Sequence, residues 1–444
     1  MVLAALGLAA WRFHLTGYLP QPFHYDSSAS LMDLYTSAYW ANRPGAYEVW
    51  RAIYPPLSFV ALRLSTLHSC YGVSDLLGRR CDWLVRLALL GFFVINFALV
   101  YLAFARKQLR AALPRTAALC LGLPMLYGLE RGNLVIPCFT FLVLARGELL
   151  RSRIARWLAM AISLNLKPYL LVVILPYVAQ RRWRWLIGCG AAGFVVYLIS
   201  FVLEGSGTPW QLFDNLVLYA HSRPGDSWSA LYYATSYWPL ARLMPSMGPL
   251  THLLPAGDVT AIRITVEVLI RGAQVGAVAC FVAACRRPGG INPNRFLAMA
   301  LAAALTTIAT GSSGYAQIFL LLFVFLEEWS GATRIAMLVS AYLLCVPFDY
   351  VLWPVAMPAM HSFLGEREVL PQFGVSVGHL VRPGLLLVIQ YGLIIINFRD
   401  VLRSPAPSRR GLGREEPADA RAMNRGAEGV ARAVPASGPS RPSR

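Results

Sequence analysis

The chain has 444 residues, of which 57% are hydrophobic and only 14% charged, and it carries a net charge of +18. Soluble domains carry roughly 25% charged residues, and bilayer-length apolar runs recur along the whole chain; a soluble multidomain protein is excluded and a polytopic membrane protein is expected. The surplus Lys and Arg fall in short clusters between the apolar runs and in the tail, as the positive-inside rule dictates, so the charge implies no nucleic-acid partner.

Residues 1–10 are apolar and are followed by Trp11, Arg12 and Phe13. A run this short covers about half of a hydrocarbon core. With no basic n-region or small-residue cleavage site it is not a signal peptide. It reads as a first spanning helix whose true start lies upstream. Residues 17–57 then form a polar, aromatic-rich stretch that holds Asp26 and Asp33 and ends in Tyr54-Pro55-Pro56. Residues 57–67 are apolar apart from Arg63, the pattern of a helix at the interface. The first clear span is 83–105, which closes on Arg106, Lys107, Arg110 and Arg115 and is assigned to the cytoplasm there.

The basic clusters set the remaining topology. Residues 116–129 go out, Glu130-Arg131-Gly132-Asn133 turn, and 134–145 return to Arg146, Arg151, Arg153 and Arg156. Residues 157–166 and 169–179 make a hairpin with Lys167-Pro168 at its outer tip and Arg181, Arg182 and Arg184 at its base. Segments 185–203, 264–285, 296–309, 317–325, 336–351 and 384–398 supply the other crossings. The expectation is an all-α bundle of about twelve transmembrane helices over residues 1–399, with both ends inside and outer loops at 14–82, 204–263 and 353–382. Residues 400–444, rich in Arg, Pro, Ser, Gly and Ala without an apolar period, read as a disordered basic cytoplasmic tail.

Eight cysteines show no CxxC and no Cys/His spacing suited to zinc. Six lie in apolar runs, where Cys acts as a small hydrophobe. Cys70 and Cys81 share the first outer loop, either as a disulfide or as two thiols. Glu267 and Arg271, four residues apart in an apolar helix, read as a mutually neutralised pair. Phosphate-binding glycine loops, H-E-x-x-H and G-x-S-x-G are absent from the sequence, and the histidines are not spaced as metal ligands. The polar residues that remain cluster in the loops of one face.

Several of those residues carry a resemblance. Asp33-Leu34-x-x-x-Ala38, Gly45-x-Tyr47 and Tyr54-Pro55-Pro56 resemble the first outer loop of glycosyltransferase family 87, the polyprenol-phosphate-mannose-dependent mannosyltransferases of the GT-C superfamily. Arg131-Gly132-Asn133 is similar to the family's Gly-Gln-x-Asn-like turn, without its Gln. Leu166-Lys167-Pro168-Tyr169, trailed by Arg181-Arg182-Trp183, resembles its Lys-Pro hairpin, and Ser313-Gly314-Tyr315-x-Gln317 its late outer turn. The order agrees over roughly residues 15 to 330.

The resemblance implies inverting transfer of a sugar, by family default mannose, from a polyprenyl-phosphate donor to a glycolipid or polysaccharide acceptor, with no metal or cofactor. Asp33 is the matched position for the general base and Asp26 the runner-up; the plainer reading of either is a helix cap or a surface carboxylate. Lys167, with Arg131 and Arg223 behind it, would meet the donor phosphate; snorkelling is the plainer reading for Lys167. Tyr35, Tyr54, Asn133, Tyr315 and Gln317 are candidate sugar or acceptor contacts, although Tyr and Trp also populate interfaces for lipid reasons alone. An Arg-over-Lys, Ala-rich composition suggests a bacterial inner membrane with the site facing the periplasm. The competing expectation is a transporter, flippase or polymerase of lipid-linked glycans, which paired broken helices in inverted repeats would favour; no second Lys-Pro hairpin is seen. A non-catalytic assembly factor would tolerate loss of both aspartates.

Overall fold

The computed structural model describes residues 1–221, 233, 256–288, 291–308 and 314–404. These are mostly helical. In chain order the helices are α1 (Val2–Thr16), α2 (Met32–Ala41), α3 (Pro56–Leu64), α4 (Asp75–Cys81), α5 (Trp83–Lys107), α6 (Leu109–Cys120), α7 (Leu123–Arg131), α8 (Val135–Arg146) and α9 (Arg153–Leu166). A 3₁₀ stretch, Pro168–Ile174, leads into α10 (Leu175–Ala179), followed by α11 (Trp183–Glu204), α12 (Pro209–His221), α13 (Ala256–Arg286), α14 (Pro293–Ile308), α15 (Gln317–Val324) and α16 (Ala332–Leu344). Strands β1 (Val351–Val355), β2 (Met360–His361), β3 (Glu368–Val369) and β4 (Phe373–Ser376) precede the last helix, α17 (Val377–Arg403).

Among the described residues, five helical stretches are long and apolar enough to cross a membrane: Trp83–Lys107, Leu109–Arg131, Trp183–Glu204, Ile264–Arg286 and Val377–Arg403. Further apolar helices of 10–17 residues accompany them, so a helical membrane protein is what the chain builds. The second of the five is α6 and α7 in series, broken where Leu123 N donates to Cys345 O at 3.0 Å. Burial sorts the helices by position. All eight residues of α15 are buried, which puts it at the centre. α11 leaves Val195, Ile199 and Val202 exposed, an apolar face that suits lipid and would be an aggregation surface in water.

One end of the bundle is basic. Lys107 pairs with Glu148 at 3.0 Å, Arg146 Nη2 donates to Asn294 Oδ1 at 2.6 Å, and Arg295 grips both oxygens of Glu327 at 2.7 and 2.9 Å while also pairing with Asp400. Asp400 is helical: α17 runs to Arg403, four residues into the stretch read as tail, because Arg295 and the Arg287 bond to Leu402 O (3.0 Å) hold it. Residues 405–444 lie outside the described residues. Glu267 and Arg271 form their pair at 3.1 Å, largely exposed.

At the far end of α5 the first polar stretch is clamped. Asp82 caps α5 by accepting from Leu84 N and Val85 N at 3.0 and 3.2 Å, and its other oxygen takes Leu67 N and Tyr71 Oη. Cys70 and Cys81 are joined as a disulfide. Arg63 donates to Ala41 O at 2.9 Å and pairs with Glu204 at 2.9 Å, tying α2, α3 and α11. The stretch read as an outer loop at 353–382 is not irregular throughout: β1 pairs antiparallel with β4, and β2 with β3. Gln21 docks on this sheet, its Nε2 donating to Gly374 O at 2.8 Å and its backbone oxygen taking Asp349 N at 2.9 Å.

Candidate functional site

Asp33 is the second residue of α2, and the helix cap is Leu31, which uses no side chain for capping. Asp33 is therefore free of the capping role open to it in the sequence. Its Oδ1 lies 2.5 Å from Arg131 Nη2 and its Oδ2 accepts from Asn133 Nδ2 at 2.9 Å. The turn from α7 to α8 delivers both partners: Gly132 sits at φ +69, and a Cβ there would stand 2.7 Å from Leu34 Cβ on α2. Glycine is what lets the turn approach that closely. Arg131 Nη1 also donates to Ala29 O at 3.0 Å, and Leu31 N to Glu130 O at 2.7 Å, which seats the start of α2 on the end of α7. Leu31 itself adopts φ +61, a strained conformation for a bulky side chain, held two residues before Asp33 by these contacts.

Asp26 is differently employed. It caps the short 3₁₀ turn Ser27–Ala29, its two oxygens accepting from Ser28 N and Ser28 Oγ, both at 2.7 Å. Arg79 of α4 donates to Ser27 O and Ser28 O over the same turn.

Lys167 follows α9 directly and precedes the 3₁₀ stretch, at the hairpin tip the sequence indicates. It is only 6% exposed. Its ammonium lies 4.6 Å from the centre of the Tyr54 ring and 5.9 Å from that of Tyr315, and no hydrogen bond or ion pair joins it to another described residue. An ammonium enclosed without a carboxylate is costly; two ring faces offset part of that cost. Tyr54 connects the two halves of the site. Its ring carries Lys167 while its phenol interacts with Asp33, Asn133 and Ser37, and burial first, then Asp33, pushes its pKa far above the usual phenol value.

Tyr315 stacks on Tyr127 at 6.2 Å, and Tyr127 on His24 at 6.0 Å, the Tyr127 hydroxyl lying 3.3 Å from His24 Nε2. Burial, with the nearby Arg131 cation, lowers the His24 pKa to about 3, so its imidazole is neutral. Gln317 lies behind Tyr315 and accepts from the Tyr233 hydroxyl at 3.1 Å.

The structure thus brings Asp33, Asn133, Arg131, Tyr54, Lys167 and Tyr315 together. Asn133 and Arg131 hold Asp33, leaving Lys167 as the cation of the set without a carboxylate. Tyr35 is fully buried and has Arg86, Asp82 and Arg79 as its charged neighbours; two positions along a helix from Asp33 means about 200° around it, so the two point apart. Arg223 lies outside the described residues. His24 and Tyr127 were missed by sequence reasoning, since neither belongs to a motif; their nearness in sequence to Asp26 and Arg131 was the only signal. Comparisons with protein-family models, characterised proteins and solved structures return no match.

Proposed function

We propose that this chain is a membrane glycosyltransferase that moves a sugar, mannose by the family resemblance, from a polyprenyl-phosphate donor to the hydroxyl of a glycolipid or polysaccharide. The observation that carries the reading is Tyr54, whose ring carries the buried Lys167 ammonium at 4.6 Å and whose phenol feels the charge of the Asp33 carboxylate that Arg131 and Asn133 orient. That is the juxtaposition a transfer between a hydroxyl and a phosphate leaving group needs.

In this reading Asp33, oriented by Arg131 and Asn133, takes the proton of the acceptor hydroxyl as its oxygen attacks the anomeric carbon. The carbon–oxygen bond to the phosphate breaks on the opposite side, giving inversion. The bonding pair leaves with the polyprenyl phosphate, whose added negative charge Lys167 meets. A carboxylate offers about four lone-pair directions, so the two protein donors leave room for the acceptor proton. The short apolar helices complete the bundle of about twelve crossings. The Asp33 end faces the periplasm of a bacterial inner membrane and the arginine-rich end the cytoplasm; the Cys70–Cys81 disulfide supports that orientation, because disulfides persist in oxidising compartments.

The test is incubation of the protein in proteoliposomes with a panel of radiolabelled polyprenyl-phosphate sugars and membrane glycan extract. Transfer from one donor, lost in Asp33→Asn, is expected; transfer undiminished in Asp33→Asn overturns the assignment.

A further inference from the structure

A second buried polar cluster lies beyond the groups that this reading employs. From Lys167 and Tyr315, the rings continue through Tyr127 to Tyr233, which meets Tyr127 edge-on at 5.1 Å. The guanidinium carbon of Arg382 lies 5.1 Å from the Tyr233 ring centre. Three tyrosines therefore run from one buried cation to another.

Arg382, near the start of α17, is 4% exposed. Its Nη2 pairs with Asp349 Oδ1 at 2.8 Å, and Asp349 Oδ2 is fixed by Ser376 Oγ at 2.9 Å. Arg382 Nη1 is buried and has no hydrogen-bond partner among the described residues. At the hydroxyl end of the same Tyr233 ring, Gln317 is 2% exposed and spends its Oε1 on the phenol, leaving Nε2 buried and also without a partner among the described residues. Buried donors are almost always paired, and an unpaired one on a cation is the more destabilising kind. Two on one tyrosine are what a site for an oxygen-bearing ligand needs.

The charge balance narrows the ligand. The Arg382–Asp349 pair is neutral, so the site presents one guanidinium N–H and one amide N–H, both donors. That suits a singly charged group with two free oxygens: a sugar carboxylate, or a phosphodiester other than the donor's own, which must face Lys167 for the departing charge to be met there. The doubly charged phosphate monoester left by the donor is better met by Lys167, whose ammonium forms no ion pair with a carboxylate among the described residues. We propose that Arg382 and Gln317 form a subsite for the acid group of the acceptor, so that the glycan or glycolipid receiving the sugar is itself anionic. The acceptor role rests on the transferase reading; the anion site does not.

The experiment measures binding to the full chain in nanodiscs of neutral lipid. The probes are dodecyl glucuronide for a carboxylate, lysophosphatidylglycerol for a phosphodiester, citronellyl phosphate for the donor's monoester, and neutral dodecyl glucoside. Arg382→Lys keeps a cation for Asp349 but loses the guanidinium edge, and Gln317→Glu keeps an acceptor for Tyr233 but reverses the donor; thermal unfolding confirms that each is folded. Each is expected to weaken one acidic probe by about tenfold or more, the probe affected naming the acid group, with citronellyl phosphate and dodecyl glucoside unchanged. Lys167→Met should do the reverse. Acidic probes that bind the parent protein no better than dodecyl glucoside overturn the proposal, since the two donors then hold only water. Arg382→Lys weakening citronellyl phosphate as much as Lys167→Met does also overturns it, by merging the cations into one donor site. Failure of the transferase reading shows separately, as absence of turnover in the parent protein.

Discussion

Arg131 Nη2 lies 2.5 Å from Asp33 Oδ1 across 98 residues of sequence, and Asn133 Nδ2 closes on the other oxygen at 2.9 Å. The carboxylate at the start of α2 is thereby fixed by the turn that follows α7. A carboxylate held in this way has one orientation, and the base role proposed for it depends on that turn as much as on Asp33 itself.

Asp33→Asn keeps the side-chain volume and removes the proposed base. Transfer is expected to fall by about 10²–10⁴-fold, with a lowered melting temperature because the Arg131 guanidinium loses its carboxylate. Asp26→Asn, which touches only a capping role, should keep turnover within about threefold, a cap being worth about 1 kcal/mol of stability. Initial rates in proteoliposomes alongside thermal unfolding of both variants check the pair; equal loss in the two would move the base.

Gly132→Ala strains a backbone at φ +69 and places a Cβ 2.7 Å from Leu34 Cβ. The Asp33 helix and the Arg131 turn must separate, so stability is expected to drop by about 1–3 kcal/mol. Turnover should fall while the Michaelis constant for the donor holds, as orientation is lost rather than affinity. Denaturant unfolding and steady-state kinetics on the same preparation read both.

Lys167→Met removes an enclosed ammonium without a carboxylate partner. Stability should rise by about 1 kcal/mol or more, while the donor Michaelis constant rises about tenfold or more and that of the acceptor stays put. Opposite movement of stability and donor use marks a group retained for function. A fall in melting temperature without a change in donor use would make Lys167 structural.

His24 gives a pH dependence whose sign follows from its pKa, lowered from 6.5 to about 3. Below 6.5 the unfolded chain takes up a proton that the folded one refuses, so this contribution is fully present above about pH 6.5. It is lost progressively as pH falls toward 3. Protonation also sets a cation against Arg131. His24→Gln should flatten the decline in melting temperature between pH 6.5 and 4; an unchanged slope would place the titrating group elsewhere.

Reduction of Cys70–Cys81, or Cys70→Ser with Cys81→Ser, frees α4 from the turn before it. The loop is short, with a sequence separation of 11, so about 2–3 kcal/mol is expected to be lost. Because Arg79 of α4 holds the carbonyls of Ser27 and Ser28, protease sensitivity should appear first in the stretch before α2. Limited proteolysis with and without reductant tests this.

The sequence by itself determined what local chemistry controls. Apolar runs punctuated by arginine clusters determine a helical membrane protein, and α5 and α11 lie within two residues of where hydropathy puts them. A lysine before a proline between two apolar segments had to sit at a turn. Polar interruptions of an apolar chain marked Asp26, Asp33 and Lys167, and the family resemblance put Asp33 ahead of Asp26. Only the tertiary structure decided which polar residue meets which. It spent Arg131 on Asp33, Asp26 on a three-residue turn and Tyr35 on the core, and it set His24 and Tyr127 beside the site and an arginine at position 382 beyond it. Those pairings join residues about a hundred or more positions apart in several cases. No periodicity encodes such distances, because burial and charge pairing act through space once the helices have packed.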